Sequence, residues 1–114
     1  MKNLTKILKA TADAHRLKIL KLLGEKNLCV CELQFLLGLS QPAVSHHLKV
    51  LSNAGLIGSE KEGLFVNYFL ERGGERSVEN LMKVLLESIG EDDMGDLLER
   101  VGGVHRDEIL EKRK

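Results

Sequence analysis

The sequence predicts a mainly α fold with one small β-hairpin, assembled as a dimeric winged helix-turn-helix. Three observations carry that prediction. Two short helical patterns are joined by "GLS" at 38–40, and the second of them is polar on its outer side. A segment rich in Val, Tyr, Phe and Ile follows, "LIGSEKEGLFVNYFLE", broken at Glu62-Gly63. Further on, residues 75–89 carry an apolar stripe too wide for a lone surface helix.

Each element has its own justification. Leu4, Ile7, Leu8 and Thr11 follow helical spacing and give a short first helix at about 4–11. Asp13 is a good N-cap for a second, with Leu17, Ile19, Leu20, Leu22 and Leu23 as its apolar face and Gly24 as its end. A third runs from about Cys31 to Leu37 and closes at Gly38. Ser40 caps the fourth, in which Pro42 falls in the first turn, where its missing N–H breaks no intrahelical bond. Leu39 and Val44 make a hydrophobic staple across that cap. Val44, Leu48 and Leu51 lie on one face; Gln41, Ser45, His46, Lys49 and Ser52 lie on the other. "NAG" at 53–55 stops the helix. The hairpin strands are expected at about 57–61 and 64–70, with Glu62-Gly63 as a two-residue turn. Val78, Leu81, Met82, Val84, Leu85, Leu86 and Ile89 form the stripe of the fifth helix. It favours burial against a second copy, with Leu4, Leu8, Leu81, Leu85 and Ile89 as the contact residues; a place in the monomer's own core is the alternative. Residues 1–90 are therefore expected to form the DNA-binding domain with its dimerisation helices. Residues 91–114 are expected to be an acidic C-terminal extension, solvated and only moderately helical.

Composition bounds the function. A chain of 114 residues suits one domain, and 43 % hydrophobic with 30 % charged residues is ordinary globular composition. No apolar run reaches transmembrane length, and the N-terminal stretch lacks the pattern of a signal peptide, so a cytoplasmic protein with reduced thiols is expected. Net charge is zero but uneven. Residues 1–57 hold eight Lys+Arg against three Asp+Glu, and residues 58–114 hold nine against fourteen. A basic half fits nucleic acid at one end; a mixed solvated surface is the plain alternative. No companion base stands near the cysteines in sequence, and there is no phosphate-binding glycine loop or triad. An enzyme is not expected.

The fourth helix is the candidate reader of DNA. A major groove admits one α-helix, and short polar side chains near its N-terminus reach base edges. Gln41, Ser45 and His46 are such groups. Ser40, with the N–H groups of the first turn, suits a phosphate. Lys49 and Lys61 are placed for backbone phosphates, which give affinity and register but not sequence. His47 falls between Val44 and Leu48 in projection and is expected half packed, so His46 is the preferred reader. His15 is expected near the start of the second helix, in contact with solvent.

The run "LSQPAVSHHLKVLSNAGLI", with "ADAHRLKIL" before it and "GLFVNYFL" after it, resembles the ArsR/SmtB family of metal-responsive bacterial repressors. The resemblance spans roughly residues 4–90. "LCVCEL" at 28–33 is similar to the inducer-binding segment of the arsenical-resistance branch. The resemblance implies a homodimeric repressor on double-stranded operator DNA, released when Cys29 and Cys31 bind arsenite, antimonite or another soft metal ion. It also exposes two departures. The branch commonly has a third cysteine where this chain has Gln34, and the wing often has a basic residue where this chain has Leu64. Other branches bind zinc-like ions through Asp and His on the long C-terminal helices; residues 75–89 contain neither.

The spacing of the two cysteines sets a geometric condition. In a regular helix each residue turns by about 100°, so Cys29 and Cys31 would face opposite ways. In extended backbone, residues two apart point the same way. Binding one soft centre through both sulfurs is thus expected to exclude regular helix at 29–31, so that binding would unwind the first turn of the third helix. Soft thiolates select soft centres. A free cysteine can also serve simply as a small hydrophobe. A repressor that senses no metal, or responds to thiol oxidation, stays open as the alternative. A second metal site from His105, Asp107 and Glu108 with Asp92, Asp93 and Asp96 competes with a solvated acidic tail, the preferred reading.

Overall fold

A computed structural model describes residues 2–106 and 109. Helix α1 spans Lys2–Thr11 and α2 spans Ala14–Glu25. Asp13 caps α2 as expected: its Oδ1 accepts from the Arg16 N–H at 3.0 Å, an arrangement that typically contributes about 1 kcal/mol. Gly24 does not end α2, which runs one residue further and is capped at Lys26. The chain then makes a strand the sequence did not announce, β1, of two residues, Leu28–Cys29. Helix α3, Val30–Leu37, begins without any connecting loop. It ends at Gly38, whose φ of 68° is the left-handed conformation that a side chain would resist.

Helix α4 spans Gln41–Asn53, with Ser40 as N-cap and its Oγ accepting from the Ala43 N–H at 3.3 Å. Strands β2, Ile57–Glu62, and β3, Phe65–Leu70, form the wing. The turn sits one residue later than the sequence suggested. Glu62 pairs with Phe65, so Gly63 and Leu64 are the central residues. Gly63 alone takes a positive φ, 60°, as a type II′ turn requires at its first position. The sheet has three antiparallel strands in the order β1-β3-β2, with Leu28 opposite Tyr68 and Cys29 opposite Asn67.

Helix α5, Arg76–Glu87, is followed by two short helices, α6 at Glu91–Met94 and α7 at Leu97–Gly103. One core cluster draws on α1 to α4, β1, β2, α6 and α7, and partly buried residues of β3 and α5 pack against it. Ile7, Ile19, Leu20, Leu22, Leu28, Leu33, Val44, Leu48 and Leu51 are its fully buried centre, each aliphatic side chain contributing about 1.5–3 kcal/mol relative to exposure. Met94, Leu97, Val101, Val104 and Ile109 are buried in that same cluster. A solvated tail after residue 90 is therefore not what these residues form: the acidic side chains face out while an apolar stripe faces in. The packing does not divide the chain at residue 90.

Helix α5 behaves differently. None of its residues is buried, and its stripe rests half-exposed on the body. A cavity of about 610 Å³ lies between it and the body, lined by Leu56 and Leu70 on one side and Val78, Met82 and Leu86 on the other. In α1, Ile7 and Ala10 turn inward while Leu4 and Leu8 stay 45 % and 48 % exposed. No described helix is long and apolar enough to cross a membrane.

Candidate thiol centre and nucleic-acid interface

Cys29 and Cys31 meet because the backbone changes type between them. Cys29 ends β1 and is the N-cap of α3, with φ −94° and ψ 171°, extended backbone. Cys31 is the second residue of the helix proper. Their sulfurs lie 3.1 Å apart. The expected conflict between a shared centre and regular helix does not arise. The rule of about 100° per residue holds only where both residues are helical, and one extended residue at the junction turns the first sulfur onto the second. Helix α3 stays intact from Val30.

Glu32 fixes this junction. It is buried, and its Oε1 accepts from the Cys29 N–H at 2.9 Å, holding the first turn of α3 against β1. Cys29 is buried and Cys31 half-buried. Burial, helped by the hydrogen bond with Cys31 and by the nearby Glu32 carboxylate, pushes the Cys29 thiol up to about 12. Cys29 is thus held in its protonated form. Among the described residues, no group of three or more His, Cys, Asp or Glu is disposed to hold a metal ion. The described residues bring two sulfurs together here. Gln34, where a third cysteine would stand, is half-buried further along α3.

The suspected second site does not assemble among the described residues. Asp93 accepts from the Gly90 N–H at 2.9 Å and Asp96 pairs with Arg100 at 3.5 Å. Asp107 and Glu108 lie outside the described residues.

On α4 the division of faces is as the sequence implied. Val44, Leu48 and Leu51 are buried. Ser40, Gln41, Ser45, His46 and Lys49 are exposed, and so is Lys61 on the wing. Helix α4 carries no carboxylate. The wing does: Glu60 and Glu62 flank Lys61, and Leu64 at its tip is 98 % exposed. His47 is half-buried, and its Nδ1 stands 3.3 Å from Arg16. That nitrogen accepts, since guanidinium only donates. Arg16 also donates to the Ala10 carbonyl at 2.7 Å and the Lys9 carbonyl at 3.2 Å, tying α1 to α4. Burial lowers the His47 pKa, with Arg16 and the neighbouring histidines adding to the effect and Asp13 opposing it. His15 is not simply a solvent-facing residue: its Nδ1 is buried, and its ring lies 5.7 Å from that of His47.

Comparison with known proteins agrees with this geometry. Residues 13–59, which include α2, the thiol pair and α4, match the model of the "Bacterial regulatory protein, arsR family". Vibrio cholerae HlyU has a similar structure: TM-score 0.65 and 36 % identity, over 75 % of this chain and 90 % of HlyU. The chain belongs to the arsR family. Members of that family are DNA-binding transcriptional regulators, not enzymes. An uncharacterized HTH-type transcriptional regulator of Methanocaldococcus jannaschii is 45 % identical over 65 residues, 56 % of this chain and 73 % of the relative. An arsenical resistance operon repressor of Staphylococcus aureus is 44 % identical over 62 residues, 54 % of this chain and 60 % of the relative. The cadmium resistance regulatory protein CadC of Listeria innocua is 39 % identical over 64 residues, 55 % of this chain and 54 % of that relative. This arsR-family chain thus spans little more than half the length of the two metal-resistance regulators.

Proposed function

We propose that this arsR-family regulator is a homodimeric repressor that leaves its operator when Cys29 and Cys31 together bind a trivalent arsenic or antimony species. The observation that carries the reading is the pair of sulfurs 3.1 Å apart at the start of α3, the helix that packs on α4.

Two physical arguments favour a metalloid over a divalent cation. The first is the bite. Two sulfurs bound tetrahedrally at about 2.3 Å stand about 3.8 Å apart, wider than the observed 3.1 Å. A trivalent, pyramidal centre accepts a narrower angle and needs less opening. The second is the proton. A divalent cation must drive a proton from a thiol held up to about 12. Arsenous acid brings its own acceptors. Two S–H and two As–OH bonds break, two As–S bonds and two waters form, and no net proton is released. The third position keeps hydroxide or takes a small exogenous thiol, which suits a chain with Gln34 where a third cysteine would stand. A repressor answering to thiol oxidation remains the competing outcome, since the same two sulfurs would serve it.

DNA contact is assigned to α4: Gln41, Ser45 and His46 at base edges, Ser40 and Lys49 at phosphates, with Lys61 on the wing. The dimer is assigned to the apolar surface of α1 and α5, through Leu4, Leu8, Leu81, Leu85 and Ile89. The exposed Leu4 and Leu8, and an α5 with no buried residue, support it. Release follows from geometry. Two recognition helices must stand about one DNA turn apart to bind together. Parting the two sulfurs to admit one centre strains the Glu32 cap and shifts α3 beneath α4. Such coupling is typically about 1–3 kcal/mol and is reciprocal.

Absorption spectroscopy at the arsenic edge tests the ligand set. The arsenite-loaded protein is expected to show about two sulfur neighbours, as the two thiols allow. Oxygen neighbours alone would refute the assignment.

A further inference from the structure

The C-terminal segment does more than finish the core. Side chains alternate across a sheet, and the register sorts them here. Tyr68 and Leu70 share a face with their partners Leu28 and Ile57, both in the core. Phe65, Asn67 and Cys29, the residue paired with Asn67, therefore lie toward the opposite face. That face is not open. The Arg106 guanidinium stacks 4.4 Å above the Phe65 ring and donates to Asn67 Oδ1 at 3.2 Å and to Glu62 Oε1 at 2.8 Å. Asn67 also donates to Glu62. One arginine thus joins the C-terminal segment to the wing, through the residue that stands across the ladder from Cys29. Cross-strand partners lie about 4.5–5.5 Å apart, so Arg106 is bound within one residue of the thiol.

The same segment is fastened at two other places around the cysteines. Lys26, two residues before β1, donates from Nζ to the Val104 carbonyl at 2.6 Å. Arg100 lies 5.6 Å over the Phe35 ring and reaches its carbonyl at 3.5 Å, on the cysteine-bearing helix. Val101 and Val104 are buried between these fastenings. Cys29 is only 2 % exposed, so no reagent reaches its sulfur in this arrangement. The polar fastenings are hydrogen bonds, the Arg106–Glu62 ion pair and two ring contacts, and Leu97, Val101 and Val104 add an edge of the core that local opening must also release.

We propose that residues 97–106 form a strap that must lift before anything reaches Cys29, and that Arg106 is the positioning residue latching the strap to the wing. A ligand that enters beneath the strap releases Glu62 and Asn67, so filling the thiol site loosens the wing as well as α3. The regulatory meaning rests on the proposed thiol function; the gate itself does not.

The test follows Cys29 alone, in the full chain with Cys31→Ser, by its rate of alkylation with iodoacetamide at fixed pH. Arg106→Ala is expected to speed the reaction about tenfold, and Glu62→Gln by less, because the strap opens locally. Arg76→Ala, on α5, should leave the rate unchanged. The background protein supplies a second measurement that needs no strap variant. Its rate should rise less steeply with urea than global unfolding does, as local opening of the strap uncovers only one edge of the core. A rate that climbs with urea as steeply as global unfolding would overturn the proposal. So would equal rates in the parent and Arg106→Ala. Neither measurement uses arsenic, so failure of the metalloid reading would leave the gate standing, and the reverse.

Discussion

The recognition helix and the wing are the two elements that a winged helix turns toward DNA, and here they are built from opposite chemistry. Helix α4 has no carboxylate, a rigid Ser40 cap and an apolar face sunk in the core. The wing carries Glu60 and Glu62, a bare Leu64 at its tip and one exposed lysine. Arg106 holds the Glu62 carboxyl below the usual range, so that it stays ionised and latched. The difference teaches that position in a fold does not fix a role. In this chain α4 presents an exposed face free of carboxylates, as the proposed DNA contact needs, whereas the wing is held to the rest of the protein by Arg106.

Substitutions sharpen the contrast. Gln41→Ala should have the largest effect: about 1–3 kcal/mol of discrimination lost at one base-pair position, read by competition among single-base variants of a selected duplex. Lys49→Ala should weaken all duplexes alike and reduce the slope of log affinity against log salt by about 0.9. Lys61→Ala should change that slope by less than half as much, because two carboxylates flank it. If Lys61 matched Lys49, the wing would be a full DNA contact and the contrast would fail. The smallest effect concerns the inner side of α4. The lowered His47 pKa means that the unfolded chain takes up this proton first as pH falls. The stability that neutral His47 contributes is present above about 6.5 and lost below it as the folded protein is forced to protonate. Melting followed from pH 7.5 to 5.5 should show a small fall in Tm that His47→Gln reduces.

The sequence revealed most of what lies on one continuous element. Ser40, Pro42 and the spacing of Val44, Leu48 and Leu51 were enough to place α4 and its exposed face. The hairpin was legible but one residue out, because a glycine announces a positive φ without saying which turn position it fills. Strand β1 was not legible, since two residues carry no period. That omission also caused the misreading of the thiols: both cysteines were assigned one backbone type, whereas the boundary between two types is what joins them. The C-terminal core was missed for another reason. Met94, Leu97, Val101 and Val104 do follow helical spacing, but two short helices and several glycines interrupt it, and the acidic surface hides it. Arg106 gave no signal, because its partners at Glu62, Phe65 and Asn67 are some forty residues away.

The central claim is that the two sulfurs at the start of α3 govern the grip of α4. It is tested most directly by adding arsenite, without oxidant, to the protein bound to a duplex selected from a random pool, and following anisotropy. The parent should release the DNA, while Cys29→Ser and Cys31→Ser should each hold it at the same arsenite concentration. Release that persists in either variant, or a parent that lets go for peroxide but not for arsenite, would contradict the account.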